Sequence, residues 1–426
     1  MIVGGGAAGL TLATRLAGMP DRRTAEVTLV DPSRAHLWKP LLHEAAAGTL
    51  RPRQDFLLYA AQAKRRHFAF HHARMDGLDR ARRELWLAPP DDSGGIAPPR
   101  RSIHYDTLVI AVGSVADDFG VPGAAEHAFF IDTAEQAQRM QQRLLLACLR
   151  AQNERHAEPE AGVAVAIVGA GVIGVELAAE LRRAANALLA YGFDRLTAER
   201  GVRITLLEAQ ERVLPALPRR VSEAAARRLA RLGVTIVCGE RVTRVSHEGV
   251  ETARGLGVPA EIRVWAGGIK APDFLTSLGG LETNEANQLV VTPDLRTTHD
   301  PDIFAIGDCA AAPWPTHREG VPPTAEAAFQ QAAALAETLA RAGRGEVALA
   351  FSYKDRASLA ALGWSRLSKA ASRLPGYAAL EGCRARVAYR LLYKKHRIVV
   401  SGGFRVAIAT LINLARPRTH SRLKLH

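Results

Sequence analysis

Two stretches of the chain repeat one order of apolar and polar positions. Each opens with an apolar run, turns on three spaced glycines, continues as a helix with small and apolar residues at helical spacing, and returns as a second apolar run ending in an acid. In the first copy Met1 to Val3 begins the run and Gly4, Gly6 and Gly9 make the turn. Leu10, Ala13, Leu16 and Ala17 line the helix, and Glu26 to Val30 leads to Asp31. In the second copy Val163 to Val168 is the run, Gly169, Gly171 and Gly174 make the turn, and Glu176, Leu177, Ala178 and Glu180 lie on the helix. Val202 to Leu207 then leads to Glu208. The change from a continuous apolar run to a 3.6-residue period and back predicts two βαβ units. The first run is short by two or three residues, so either the strand is clipped or the start lies inside a longer one.

The glycine spacing in both turns is G-x-G-x-x-G, which permits a tight bend and brings backbone close to a pyrophosphate whose charge sits over helix N–H groups. Asp31 and Glu208 stand where a carboxylate can accept hydrogen bonds from an adenosine ribose. The complete strand, turn, helix, strand and acid order is far more specific than glycines alone. Two copies imply two dinucleotides, a flavin and a nicotinamide rather than two of one kind. Glu208 has no Arg directly after it, which favours an unphosphorylated ribose and NADH over NADPH, although Arg212 is close in sequence.

A third apolar run, Ile303 to Ile306, delivers Gly307 and Asp308 to the C-terminal edge of a sheet, where α/β folds bind ligands. A helix follows from about Thr324, with Ala325, Ala327 and Ala328 small enough to let a ligand approach. Tyr105 to Ser114 is a further buried run with Gly113 at its end.

Composition narrows the picture. The 426 residues exceed one core of roughly 250 to 300 residues, so more than one domain is expected. Cys148, Cys238, Cys309 and Cys383 are far apart and make neither a disulfide framework, a thiolate metal site nor a dithiol centre. The histidines are expected in loops or at the surface, and no metal is expected. The first residues lack a basic segment before the glycines, so no secretory signal is expected, and no run of about 18 apolar residues suggests a transmembrane helix. The expected location is the cytoplasmic side.

The net charge of +13 is concentrated at one end: from Arg384 onward there are eleven Lys and Arg and no Asp or Glu. Between Arg384 and His396, Val387, Leu391 and Leu392 recur opposite Arg386, Arg390, Lys394 and Lys395. After Gly402 and Gly403, Phe404 to Ala415 is almost wholly apolar. Both stretches are too short to span a bilayer and suit helices lying in its interface, with the basic residues drawn to anionic lipid. Packing on the protein or dimerisation is the alternative use, so a homodimer stays among the candidate partners. No nucleic acid partner is expected, because the basic residues alternate with aliphatic rather than stacking side chains.

The Gly307–Asp308 segment resembles the second flavin motif of the two-dinucleotide-domain disulfide reductase superfamily. Other stretches resemble the type II NADH dehydrogenases: His36 to Glu44, Asp117 to Gly123, Leu214 to Pro218, Lys270 to Phe274, Gly279 to Asn284, Phe304 to Cys309 and Leu423 to His426. The resemblance implies two Rossmann-like domains in an α/β fold, with the FAD domain discontinuous. Residues 1–118 and 286–345 would form the FAD domain, 119–285 the NADH domain, and 346–426 an amphipathic membrane-association and quinone-access region.

It further implies that Gly4, Gly6, Gly9, Asp31, Gly113, Gly307, Asp308 and Ala327 hold FAD, and that Gly169, Gly171, Gly174 and Glu208 hold NADH. Glu176 matches a helix glutamate that handles protons near the nicotinamide, and an acid there also suits the helix dipole. Lys39, set among Trp38, Pro40 and Leu41, matches a lysine near the isoalloxazine; a snorkelling lysine is the plainer reading. On the quinone side the family pattern Ala-Gln-x-Ala-x-Gln reads Ala325-Glu326-Ala-Ala-Phe-Gln330 here. An amide both donates and accepts, whereas an ionised Glu326 only accepts, unless burial keeps it neutral. Leu367 to Lys369 also departs from the small residues usual there.

The implied reaction is hydride transfer from NADH to FAD and two-electron reduction of a membrane quinone without proton pumping, catalysed by a peripheral protein. Three alternatives stay open: an NADH-dependent reductase of a protein electron carrier, a sulfide:quinone oxidoreductase, and a non-enzymatic sensor. The second needs cysteines around the flavin, and only Cys309 is near a flavin motif.

Overall fold

The computed structural model describes residues 1–19, 26–49, 56–90, 99–153, 162–189, 201–315, 317–355, 394, 396–400 and 402–403. They form two compact units. Unit 1 takes Met1–His36, Phe56–Ser114 and the described residues from Lys270 onward; unit 2 takes Val115–Ile269 and the described part of Leu37–Asp55. The units change over after Ser114 and after Ile269; the domain boundaries expected from the resemblance fall after 118 and 285. Residues 270–285 join unit 1 because Leu275, Leu278 and Leu281 are buried in its core and Ala271 N–H bonds to Ala286 O.

Unit 1 is built on a five-stranded parallel sheet in the order Ile303–Ala305, Leu108–Ile110, Ile2–Val3, Thr28–Asp31, Ala69–His72. The two-residue strand Ile2–Val3 is central: Ile2 faces Leu29 and Val109, and Val3 faces Val30 and Ile110. A parallel strand covered on both faces reads as a continuous apolar run. Leu29, Val30, Leu108, Ile110 and Ile303 are accordingly buried. Helices Ala7–Ala17 and Ala325–Ala342 pack together and add Leu10, Leu12, Ala332 and Leu335 to the same core. The strand Ile303–Ala305 returns from far along the chain to place Phe304 opposite Val109, so the unit is discontinuous in sequence. An antiparallel sheet of Arg74–Asp79, Glu84–Ala88 and Arg101–His104 completes it.

Unit 2 repeats the plan. Its parallel sheet runs Phe129–Phe130, Ile262–Trp265, Val163–Val168, Val202–Glu208, Val234–Cys238, with the strand before the glycine turn again central. Val165, Ile167, Leu177, Leu181, Ile204 and Val264 share one core. Its antiparallel sheet is Val242–Val245, Gly249–Thr252 and Gly257–Pro259. The helix Leu42–Ala46 packs on helices Ala134–Asn153 and Val172–Leu189, which is why the segment carrying Lys39 belongs to this unit.

No described helix is long and apolar enough to cross a membrane. Of the expected interfacial stretches only Lys394 and His396 are among the described residues; Phe404 to Ala415 and Leu367 to Lys369 lie outside them entirely.

Candidate functional site

The two glycine turns are built alike. Gly4 has φ +99°, and a Cβ there would stand 2.3 Å from Ala111 O; Gly169 also has φ +99°, and a Cβ there would stand 2.6 Å from Gly267 Cα. A Cβ on Gly9 or Gly174 would lie 1.9 Å from the carbonyl oxygen of Gly4 or Gly169. These four glycines are demanded by the turn itself. Gly6 and Gly171 differ, since a Cβ at either meets nothing within 4 Å. They border open space at the start of a helix, and the Ala7–Ala17 helix has neither a side-chain cap at Gly6 nor an acid in its first turn. Open space at an uncapped helix start is a cradle that fits a pyrophosphate.

Each turn is tied down by the acid ending its second strand. Asp31 Oδ2 accepts from Gly5 N–H at 2.6 Å and Oδ1 from Ser33 N–H at 2.7 Å. Glu208 Oε2 accepts from Ala170 N–H at 2.8 Å and Oε1 from Gln210 N–H at 2.9 Å. Burial pushes the Asp31 carboxyl up and these N–H donors oppose that rise. The acids thus shape the turn, and each oxygen keeps a second lone pair that could accept from a ribose hydroxyl. Both turns therefore fit a dinucleotide. In unit 2 the Arg212 guanidinium is committed to its own loop, donating to Leu214 O, Leu217 O and Pro215 O at 3.2, 2.8 and 2.5 Å.

Unit 1 brings together most of the FAD candidates. Gly307 has φ +80° and its N–H donates to Gln331 Oε1 at 2.6 Å. Asp308 Oδ2 accepts from Ser114 Oγ at 2.9 Å, and its backbone oxygen accepts from Gln288 Nε2 at 2.9 Å. These bonds settle the Gly307–Asp308 corner beside Ser114, the residue after Gly113, which itself takes φ +74°. Ala327 is buried and its N–H donates to the Thr324 hydroxyl that caps the helix. Gln330 makes a two-point bond to Lys354, Nε2 to the carbonyl at 2.8 Å and Oε1 from the N–H at 3.0 Å. The amide orientation is thereby set by backbone, so its contact with Glu326 Oε1 at 3.3 Å has the carboxylate accepting. Gln330 is thus engaged on both its polar atoms.

The remaining candidates are in unit 2, each with a partner no spacing revealed. Lys39 Nζ is 3.3 Å from Asp132 Oδ1, and Asp132 Oδ2 accepts from Ala116 N–H at 2.9 Å. Glu176 Oε2 is 3.6 Å from Nε2 of His43, which is buried. Asp132 and His43 were missed because both pairings join residues far apart in the chain, and the tertiary packing of Leu42–Ala46 makes the second.

The expectation that the histidines lie in loops or at the surface fails for three of them: His36, His43 and His396 are all buried. His36 Nδ1 and the Tyr59 hydroxyl converge on Gly5 O at 3.0 and 2.7 Å, so they too belong to the first turn. Their only sequence signal was membership of apolar segments, which hides polar roles. Cys309 is fully buried with its thiol against Ile306 O and Ile110 O, and burial pushes it up to about 12. Such a thiol is a poor nucleophile, which counts against sulfide chemistry at this position.

The family model for pyridine nucleotide-disulphide oxidoreductases matches residues 1–332. A type II NADH:quinone oxidoreductase of Haemophilus influenzae is 36% identical over 442 residues, covering 100% of this chain and 99% of that protein. One from Staphylococcus aureus is 28% identical, covering 85% and 87%. Among solved structures, NDH2 from Plasmodium falciparum in complex with NADH aligns with a TM-score of 0.69 at 17% identity, covering 80% of this chain and 82% of that one. The fold, the doubled turn and a relative matched end to end agree: the chain belongs to the pyridine nucleotide-disulphide oxidoreductase family, among its type II NADH:quinone oxidoreductases.

Proposed function

We propose that the protein is an FAD-dependent NADH:quinone oxidoreductase that takes a hydride from NADH and reduces a quinone by two electrons, without moving protons across a membrane. The observation that carries this reading is the pair of acid-tied dinucleotide turns in a chain whose full-length relative is a type II NADH:quinone oxidoreductase. That relationship favours a quinone over a protein electron carrier as acceptor. FAD, when bound, supplies the hydride acceptor and releases electrons in pairs. The chain's part is binding, orientation and charge. The first turn receives one pyrophosphate over the Ala7–Ala17 helix, and Ser114 fixes the carboxylate of Asp308. The second turn receives NADH, with Glu208 at the adenosine ribose.

Proton handling falls to Glu176, steadied by His43, and Lys39 supplies a positive charge steadied by Asp132. Glu326 and Gln330 are proposed to face the quinone, with Glu326 as an acceptor. The enzyme is proposed to sit peripherally at the cytoplasmic face of the membrane, its eleven basic residues from Arg384 onward drawn to anionic lipid, with a homodimer as a further arrangement.

The two half-reactions test this separately. Purified protein kept free of oxygen should bleach its flavin absorbance on addition of one equivalent of NADH and regain it on addition of a soluble quinone. Bleaching with no recovery by any quinone tried would retain the dinucleotide sites and remove the quinone from the reading.

A further inference from the structure

Gly5 is clamped on both sides of its peptide. Its N–H donates to Asp31, and its carbonyl oxygen takes the Tyr59 hydroxyl and His36 Nδ1. A carbonyl can only accept, so Nδ1 of His36 carries the proton. His36 is buried, and burial lowers its imidazole to about 4, so it is neutral near pH 7. A neutral imidazole protonated at Nδ1 has an acceptor at Nε2. That Nε2 lies 2.9 Å from Nε2 of His396, which is fully buried and lowered to about 2 by burial and by His36 and Arg397. The donor across this contact must be His396 Nε2–H. Two neutral imidazoles thus form a directed chain from His396 through His36 to the Gly5 carbonyl, next to the open cradle at Gly6.

His396 belongs to a helical stretch, residues 396–400, distant in sequence from the turn. Arg66 holds its far end, Nε to Val400 O at 2.9 Å and Nη2 to Val399 O at 3.2 Å. The ring of Phe329, on the helix between Glu326 and Gln330, lies 5.1 Å from that of His396.

We infer that His396 is a positioning residue for the flavin: by donating to Nε2 of His36 it holds the ring whose Nδ1–H orients the Gly5 carbonyl, so the seating of residues 396–400 sets how tightly FAD is held. The inference rests on the assignment of FAD to the first turn. Removing the donor leaves a buried, unsatisfied acceptor at Nε2 of His36, which loosens the ring's seat against the Gly5 carbonyl.

The test compares His396→Leu, which fills the space without a donor, with His396→Gln, whose amide N–H can replace it. FAD affinity is measured by flavin fluorescence titration of the full chain. H396L should weaken FAD binding about ten-fold and H396Q should restore it to within about three-fold. Nitrogen chemical shifts of labelled histidine should show wild-type His36 as a neutral Nδ1–H tautomer and His396 as a neutral Nε2–H tautomer, the donor the inference requires, a reading that does not depend on H396L folding. Equal FAD affinity in wild type and H396L, or a wild-type His36 protonated on Nε2, would overturn the inference while leaving the flavin site intact. A wild-type chain that takes up no FAD would overturn the assignment of the turn and the inference with it.

Discussion

Arg212 and Glu208 are close in sequence and opposite in charge, and their partners decide which of them reads the nucleotide. Arg212 spends its guanidinium on the carbonyls of the 214–217 loop, so it is expected to brace that loop rather than receive a 2′-phosphate. Replacing it with Ala should cost about 1 kcal/mol of stability and leave the NADH to NADPH ratio of kcat/KM unchanged. Glu208→Gln puts an N–H₂ where one of two backbone N–H groups now donates. It should raise KM for NADH about ten-fold and narrow the preference over NADPH, read by steady-state kinetics with both nucleotides. The identity of the acid was plain in the sequence, but its second task was not. A carboxylate predicted to meet a ribose also holds Ala170 N–H, and Asp31 does the same for Gly5. Hydrogen bonds from a strand end to a neighbouring turn depend on the register between strands, which residue spacing does not encode.

At the scale of the element, the G-x-G-x-x-G turn divides its glycines by what surrounds them. Gly9→Ala and Gly174→Ala drive a Cβ into a carbonyl oxygen and should unfold the βαβ unit or lower its melting temperature sharply. Gly6→Ala and Gly171→Ala meet open space, so they should fold with near wild-type melting temperature and lose flavin or NADH affinity respectively. Thermal unfolding run beside nucleotide titration separates the two outcomes; equal damage from all four would show that the open space is not where the ligand sits. These turns were the most legible elements, because apolar runs and glycine spacing are local. The pairs Lys39–Asp132 and His43–Glu176 were illegible, since the short helix Leu42–Ala46 finds its place through packing on two helices remote in sequence. The buried His36–His396 contact is a stronger case: each imidazole alone gives no pattern, and only the folded chain makes them neighbours.

The whole molecule repeats one architecture twice, a parallel sheet with the glycine-turn strand at its centre and a three-stranded antiparallel sheet beside it. Unit 1 closes only when Ile303–Ala305 returns to Leu108–Ile110, which the Gly307–Asp308 motif had announced. Charge is the other property at this scale. With a net charge of +13 concentrated from Arg384 onward, the full chain should co-sediment with vesicles containing anionic lipid, bind zwitterionic vesicles far less, and be released progressively by salt. Equal binding to both vesicle types at all salt concentrations would point to apolar insertion alone.

The most direct measurement is steady-state NADH oxidation by the purified, flavin-loaded protein in detergent, with and without a quinone. Turnover that depends on the quinone and is much faster with NADH than with NADPH is the expected result. NADH oxidation that proceeds at the same rate whether or not quinone is present would contradict it.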